Sequence, residues 1–183
     1  LKDSTVKLAN LMISKKIKNI IFLNYAPELE KFLFWCQQLL AESLGKDNKG
    51  FLPMISSAPK DHHSLLQLYL EGPKDKLFCI FSSNLRSKEK IALTKNLTKV
   101  NHLQNKKLTV IKKAQKNALI KTLKNKNIPF REFEVKLFNE NTIGELFSYF
   151  IIETVIVAGL TNINPYDQPS VEQVKNLTKK LLS

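Results

Sequence analysis

Apolar positions along the chain form short runs and longer stretches with helical spacing, and these two kinds of pattern alternate. The runs predict strands over residues 18–24, 51–56, 77–82 and 128–135. The helical spacing predicts helices over residues 4–16, 27–45, 62–70, 109–125, 142–159 and 167–182. Because strands that alternate with helices pack as a sheet between helical layers, we predict an α/β fold. The expected form is a three-layer αβα sandwich with a mainly parallel sheet.

Capping residues predict where several of these helices start and stop. Pro27 suits the first turn of the second helix, and Gly45 is suited to end it. Residues 84–105 lack a clear period and are predicted to be irregular, with short helical pieces. The predicted N-caps are Ser4 or Thr5, Asp61, Thr142 with Glu145 in a capping box, and Asp167, which is followed by Pro169.

Length and composition predict one domain over residues 1–183, because 43% of the residues are hydrophobic and suffice for one core. Glu153 interrupts the longest apolar run, residues 150–160, so we expect no membrane span and no signal peptide. Cys36 and Cys79 lie in apolar patterns that are typical of reduced core thiols in a cytoplasmic protein. Two cysteines and three histidines show no metal-ligand spacing, so no metal site is expected.

The formal net charge of +13 raises the question of nucleic-acid binding. Of the 29 basic residues, however, only Arg86 and Arg131 are arginines, and arginine is the residue that binds phosphates and bases with two hydrogen bonds. The lysines are scattered along the chain. A solvated lysine surface is therefore favoured over a nucleic-acid interface.

Two titratable residues between positions 41 and 73 stand where helix ends affect their chemistry. Glu42 is near the C-terminal end of a predicted helix, where the helix dipole disfavours a carboxylate. It is either a solvated surface residue or a general base whose protonated form the helix end favours. His63 is in the first turn of the next predicted helix, which disfavours imidazolium. It is either an ordinary polar residue or a neutral ring that passes a proton.

A third candidate, Lys175, is in the last predicted helix. It projects at the border of the apolar face formed by Val171, Val174, Thr178, Leu181 and Leu182. Lysines at such a border usually extend their ammonium group to solvent. The helical pattern alone therefore gives Lys175 no functional role.

A longer motif contains the first two candidates. It runs Glu42-Ser43-Leu44-Gly45-Lys46-Asp47-Asn48-Lys49-Gly50, then Asp61-His62-His63-Ser64, then Gln67 and Gly72-Pro73. This order resembles the C-terminal domain of glucose-6-phosphate isomerase in its bacterial form. His62 departs from the pattern, because the family usually has glutamine there, whereas His63 holds the family's position before Ser64.

A second family signature stands near the C-terminus. The matching positions are Tyr166, Asp167, Gln168, Val171, Glu172 and Lys175. Ser170 replaces the usual glycine or alanine. Two signatures in the family's order make the resemblance specific from about Lys18 onward.

The resemblance implies a flavodoxin-like sugar-isomerase domain that interconverts glucose 6-phosphate and fructose 6-phosphate without a cofactor. By resemblance Glu42 is the base, His63 and Lys175 assist ring opening, and Gln168 contacts the substrate. The family's histidine comes from the second subunit of a homodimer. The family's Gly-Gly-Arg segment and its Ser/Thr-rich phosphate loop do not occur in this sequence. Both belong to the N-terminal sugar-isomerase half, which we expect as a further partner.

Two other functions remain open. One is a non-catalytic regulatory module of the same fold that binds a sugar phosphate. A pure sensor does not need a base, so the presence of Glu42, His63 and Lys175 together argues against it. The other is a basic nucleic-acid-binding domain, which the steep salt dependence of phosphate contacts would reveal.

Overall fold

The computed structural model describes residues 1–84, 90–92 and 98–183, and these residues contain one four-stranded sheet. The strands are β1 (Asn19–Asn24), β2 (Leu52–Ser57), β3 (Lys76–Ser83) and β4 (Phe130–Val135). Their spatial order is β2-β1-β3-β4, and all three neighbouring pairs are parallel. This order matches the first four strands of the flavodoxin-like arrangement. The predicted α/β fold is therefore confirmed.

Helices flank the sheet as predicted. When the 3₁₀ turn before α2 is counted with it, every helix but one begins and ends within two residues of its predicted bounds. The exception is the helix predicted over 62–70, which is two short helices. Residues 85–89 and 93–97 of the predicted irregular segment 84–105 lie outside the described residues, and 3₁₀ turns occupy Thr98–Leu103. The helices are α1 (Lys2–Ser14), α2 (Glu30–Leu44, after a 3₁₀ turn at Pro27–Leu29), α3 (Lys60–Ser64), α4 (Leu66–Glu71), α5 (Leu108–Asn125), α6 (Glu140–Leu160) and α7 (Pro169–Leu182).

Both faces of the central strands β1 and β3 are buried, which explains why β1 contains a continuous apolar run. Successive side chains of a strand point to opposite faces. Ile20 and Phe22 pack in the cluster that includes α1, α2 and α6. Ile21 and Leu23 pack in the second cluster, which includes α4 and α5.

The predicted helix caps were wrong at four positions. Helix α6 begins two residues before Thr142, because Asn139 Oδ1 accepts a hydrogen bond from the Thr142 backbone nitrogen at 2.9 Å. Asp167 and Asp61 also do not cap their helices, since both side chains bind other partners. Helix α1 starts at Lys2 without a side-chain cap, so Ser4 and Thr5 lie inside it.

Helix α6 is long and apolar enough to cross a membrane by length and composition, and no other helix of the described residues is. In the structure, however, it packs on the sheet and contributes Phe150 and Val157 to the core. Its Glu153 is 2% exposed and pairs with Arg131 of β4 at 2.7 Å. Ser4 and Tyr149 also donate hydrogen bonds to Glu153. These contacts make α6 an integral layer of the α/β sandwich.

We expect Glu153→Gln to lower the free energy of unfolding by about 3–5 kcal/mol, because it leaves the buried Arg131 guanidinium without its counter-charge. Urea unfolding of the purified chain measures the change. Glu71→Gln is the matched control. It removes a carboxylate from an ion pair with Lys126 that is largely exposed, and it should have little effect. Equal losses in both variants would contradict a special role for the buried pair.

Candidate active site

Glu42 lies in the last turn of α2, where two amide groups hold its carboxylate. Oε1 accepts a hydrogen bond from Gln38 Nε2 at 3.0 Å, and Oε2 accepts one from Gln168 Nε2 at 2.9 Å. Gln38 is one turn earlier on the same helix, whereas Gln168 immediately precedes α7. Both donors are neutral, so they orient the carboxylate without supplying a positive charge. A carboxylate held in this way is suited to accept a proton.

A cavity of about 200 Å³ lies beside Glu42, between the last turn of α2 and the first turn of α7. Gln168 and Lys46 also line it. Sites that enclose a small molecule usually measure about 300–1,000 Å³. The described residues therefore form only part of a site of that size.

Two lysines of the first motif attach the second motif to the domain, a role that was not predicted from the sequence. Lys46 Nζ pairs with Asp167 Oδ1 at 2.9 Å and also donates to the Asn164 carbonyl. Lys49 Nζ donates to the Thr161 carbonyl at 2.9 Å. The hydrogen bond from Lys46 lowers the pKa of Asp167. Since Asp167 adjoins Gln168, the Lys46 contact helps to place the Gln168 amide beside Glu42. The presence of both lysines in the matched motif was the available signal.

The loop between α2 and β2 needs glycine at its end. Gly50 has a φ of 102°, and a Cβ there would lie 2.7 Å from the Leu44 carbonyl oxygen. Asp47 and Asn48 also adopt the left-handed region, with φ values of 53° and 57°. The Asp-Asn and glycine residues of the motif thus shape the loop that carries the two lysines.

The histidines follow the carboxyl end of β2 and have different surroundings. His63 is exposed on α3. The His62 Nε2 atom lies 2.6 Å from the Tyr25 hydroxyl, and burial lowers the pKa of this imidazole. Asp61 does not cap α3, because its Oδ2 atom accepts from Ser56 Oγ and from the Ser57 backbone nitrogen. The imidazole with the closest protein contacts is thus the one that departs from the family pattern.

The structure brings Glu42 and Gln168 together but does not bring the three catalytic candidates together. Glu42 precedes the amino end of β2, and His63 follows its carboxyl end. The six residues of β2 span about 20 Å. Lys175 is exposed on α7, where its Nζ atom donates to Glu172 Oε1 at 2.7 Å. None of the three contacts another in the described part of the chain.

The described residues contain no group of three or more His, Cys, Asp or Glu side chains that could hold a metal ion. The Lys46 ammonium group, which lines the same cavity as Glu42, forms an ion pair with Asp167. A carboxylate that two amides orient, as they do Glu42, is able to accept a proton.

No family model matches this sequence. Curated proteins do match it along most of its length. It is 32% identical over 182 residues to a probable glucose-6-phosphate isomerase of Methanococcus maripaludis, an alignment that covers 96% of this chain and 41% of that protein. It is 34% identical over 165 residues to the glucose-6-phosphate isomerase of Mycoplasmopsis synoviae, covering 88% of this chain and 38% of that protein.

Solved structures share the fold. A hypothetical protein from Thermus thermophilus superposes with a TM-score of 0.86 at 27% identity, over 98% of this chain and 45% of that one. A glucose-6-phosphate isomerase from Chlamydia trachomatis superposes with a TM-score of 0.66 at 16% identity, over 90% of this chain and 34% of that one. At such low identity the second match shows the fold alone.

The chain spans about two fifths of the length of the curated relatives that it matches. The sequence matches and the parallel sheet both agree with the resemblance that the two motifs indicated. We conclude that this chain is similar to one part of the proteins named glucose-6-phosphate isomerase.

Proposed function

We propose that this chain is the C-terminal domain of a cytoplasmic glucose-6-phosphate isomerase of glycolysis and gluconeogenesis. In the complete protein it would supply the base for the interconversion of glucose 6-phosphate and fructose 6-phosphate. The supporting observation is the hydrogen bond from Gln168 to Glu42, which joins two motifs that are 126 residues apart in the sequence. A coupled assay for fructose 6-phosphate formation by the complete protein tests the activity.

In the proposed reaction Glu42 accepts the C2 proton of the open-chain aldose and returns it to C1. The intermediate is an enediolate, and the reverse path converts ketose to aldose without any cofactor. The two amide donors hold the carboxylate in one orientation. Its charge remains available because Lys46, the cation in the same cavity, pairs with Asp167 instead.

Gln168 and Lys175 are proposed to act on the sugar from one side of α7. They are seven residues apart, so they project from nearly the same side of the helix, about 10 Å apart along its axis. Both side chains of the Lys175–Glu172 pair are largely exposed, so this contact is weak. Lys175 is therefore able to turn towards a sugar that occupies the Gln168 side, where it would assist ring opening.

His63 is proposed to act in a homodimer. It follows the carboxyl end of β2, while the Glu42 cavity lies near the amino end, so one chain does not join the two groups. A second copy could present His63 to the cavity. The exposed position of His63 on α3 is compatible with that role.

The rest of the proposed site, which comprises a phosphate loop and a cation for the enediolate, is assigned to an N-terminal sugar-isomerase domain. The small size of the Glu42 cavity supports this assignment. So does α7, which has no buried side chain and leaves Leu181 and Leu182 at 87% and 84% exposed. An apolar helix face of this kind is suited to pack against another domain.

A non-catalytic regulatory module that binds a sugar phosphate is the alternative. The geometry of Glu42 favours catalysis over it. A general base needs a carboxylate that no cation holds in an ion pair, and Glu42 is held only by amides and has no ion pair in the described part of the chain.

We expect His63→Ala in the complete enzyme to lower kcat/KM more for ring-closed than for open-chain substrate, because the ring-opening group is lost. The measurement compares initial rates on both substrate forms. His62→Ala is the control, since this ring contacts Tyr25, and it should change the ratio of the two rates much less. Equal losses on both substrates would indicate a binding or folding role for His63. The reverse ranking of the two variants would show that the wrong imidazole was assigned.

A further inference from the structure

A cavity of about 460 Å³ lies at the opposite end of the sheet from the Glu42 cavity. It is bounded by residues that follow the carboxyl ends of β1 and β3, including Tyr25 and Ser83. The chain leaves β1 towards β2 on one side and returns to β3 on the other, so β1 and β3 flank the topological switch point of this sheet. Ligands of open α/β sheets bind in the crevice at such a point. The cavity is also within the size range of small-molecule sites.

One wall of this cavity is formed by three lysines of α5, namely Lys112, Lys113 and Lys116. Lys116 is only 6% exposed, and its Nζ atom donates to Ser82 Oγ at 3.1 Å and to Glu132 Oε1 at 2.7 Å. Lys112 and Lys113 pair with no carboxylate in the described part of the chain. The first turn of α5 lines the same wall and adds backbone N–H groups. Among the described residues, this wall therefore offers two ammonium groups that form no ion pair with a carboxylate.

Two carboxylates also line the cavity. Glu28, from the 3₁₀ turn that leads to α2, lines the cavity and accepts a hydrogen bond from the Ser83 hydroxyl. Glu134, near the end of β4, also lines it. Carboxylates accept hydrogen bonds from hydroxyl groups. The lysines and the glutamates together thus suit a ligand that carries both an anionic group and hydroxyls.

We propose that this cavity is a second ligand site, distinct from the Glu42 cavity, and that it binds a phosphorylated polyol. Lys112 and Lys113 bind the phosphate, as ammonium groups and helix N-terminal N–H groups commonly do. Glu28 and Glu134 accept hydrogen bonds from the ligand hydroxyls. An isolated phosphate would leave the two glutamates without ligand partners, and a neutral polyol would leave the two lysines without them.

The ligand would also contact Tyr25, whose hydroxyl group is close to His62 of α3. Tyr25 lines the cavity, and its hydroxyl lies 2.6 Å from His62 Nε2. Occupancy of the cavity therefore changes the surroundings of His62. This coupling gives the experiment a second readout, the NMR signal of the His62 imidazole.

The test is a titration of the purified 183-residue chain with glucose 6-phosphate, inorganic phosphate and glucose, followed by calorimetry and by amide NMR. Glucose 6-phosphate should shift the amides of Ser83, Thr109 and Lys112 and the His62 imidazole. The double variant Lys112→Ala/Lys113→Ala should weaken its binding by at least about tenfold, because two charge-assisted contacts are lost. Lys121→Ala/Lys124→Ala is the matched control. It removes two exposed charges from the same helix outside the cavity and should bind as the parent does.

Equal weakening in both double variants would overturn the proposal, because it would reflect net charge alone. Inorganic phosphate or glucose binding as tightly as glucose 6-phosphate would overturn it too. Ligand-induced shifts confined to Glu42 and Gln168 would place the ligand in the other cavity and have the same consequence. Only binding is measured, so the outcome does not depend on whether the isomerase assignment is correct.

Discussion

Replacing Glu42 with glutamine should lower the isomerase turnover of the complete enzyme by at least about 10²-fold and up to about 10⁴-fold. That range is the usual loss when a general base is removed. The structure indicates that the loss will be chemical rather than structural. Gln38 and Gln168 hold the carboxylate from two sides, and either amide can rotate to present its oxygen to the new amide nitrogen. The shape of the cavity and the binding of substrate should therefore change little.

The measurement separates kcat from KM in a coupled assay. We expect kcat to fall while KM stays within a few-fold of the parent, because the lost interaction is made in the transition state. Solvent deuterium incorporation into the sugar should fall with kcat. Glu71→Gln is the control, because it makes the same chemical change at a largely exposed ion pair outside the Glu42 cavity. It should leave kcat unchanged. Parent-like turnover of the Glu42→Gln enzyme would refute its assignment as the base.

The sheet and its layers were predictable because each strand of this fold has a strong local signal. β1 is buried on both faces, and its residues Ile20 to Leu23 are all apolar. Helix starts were less predictable, because several side chains compete for each role. Asn139 caps α6 although Thr142 and Glu145 form a capping-box pattern, and Asp167 binds Lys46 rather than the α7 N-terminus. Tertiary contacts decided these cases, and the local sequence does not contain them.

The candidate site was predictable only through the resemblance. Helical periodicity gave Glu42 and Lys175 no functional role, and nothing in the residues alone predicted that Gln168 would contact Glu42. The cavity beneath α5 had no sequence signal at all. Lys116 is surrounded by other lysines in the sequence, a pattern typical of a surface residue, yet its ammonium group is buried against Ser82 and Glu132. A pattern of charges along a helix does not show which of them the sheet will cover.

The second large effect concerns the 183-residue chain by itself, which should fold but show no measurable isomerase activity. Folding is expected because both faces of the sheet are covered and each has its own buried cluster. Cooperative urea unfolding, with a loss of far-UV circular dichroism, would establish the folded state. The same preparation then serves for the activity measurement.

Inactivity follows from the charges around Glu42. The cavity measures about 200 Å³, and Lys46, the only cation among the described residues that line it, is paired with Asp167. The described residues of this cavity therefore offer no uncompensated cation for a substrate phosphate or for a developing enediolate. Loss of one such electrostatic group commonly costs about 10²–10³-fold in rate, and here a phosphate site and an enediolate cation are both needed.

The test is the coupled assay on the chain alone, repeated after a separately expressed N-terminal half is added. We expect no rate above background in the first case and recovered activity in the second. Activity of the chain alone would mean that its own residues complete a phosphate site beside Glu42. The division of the reaction between two domains would then be wrong, because a single domain would supply the base, the cation and the phosphate contacts.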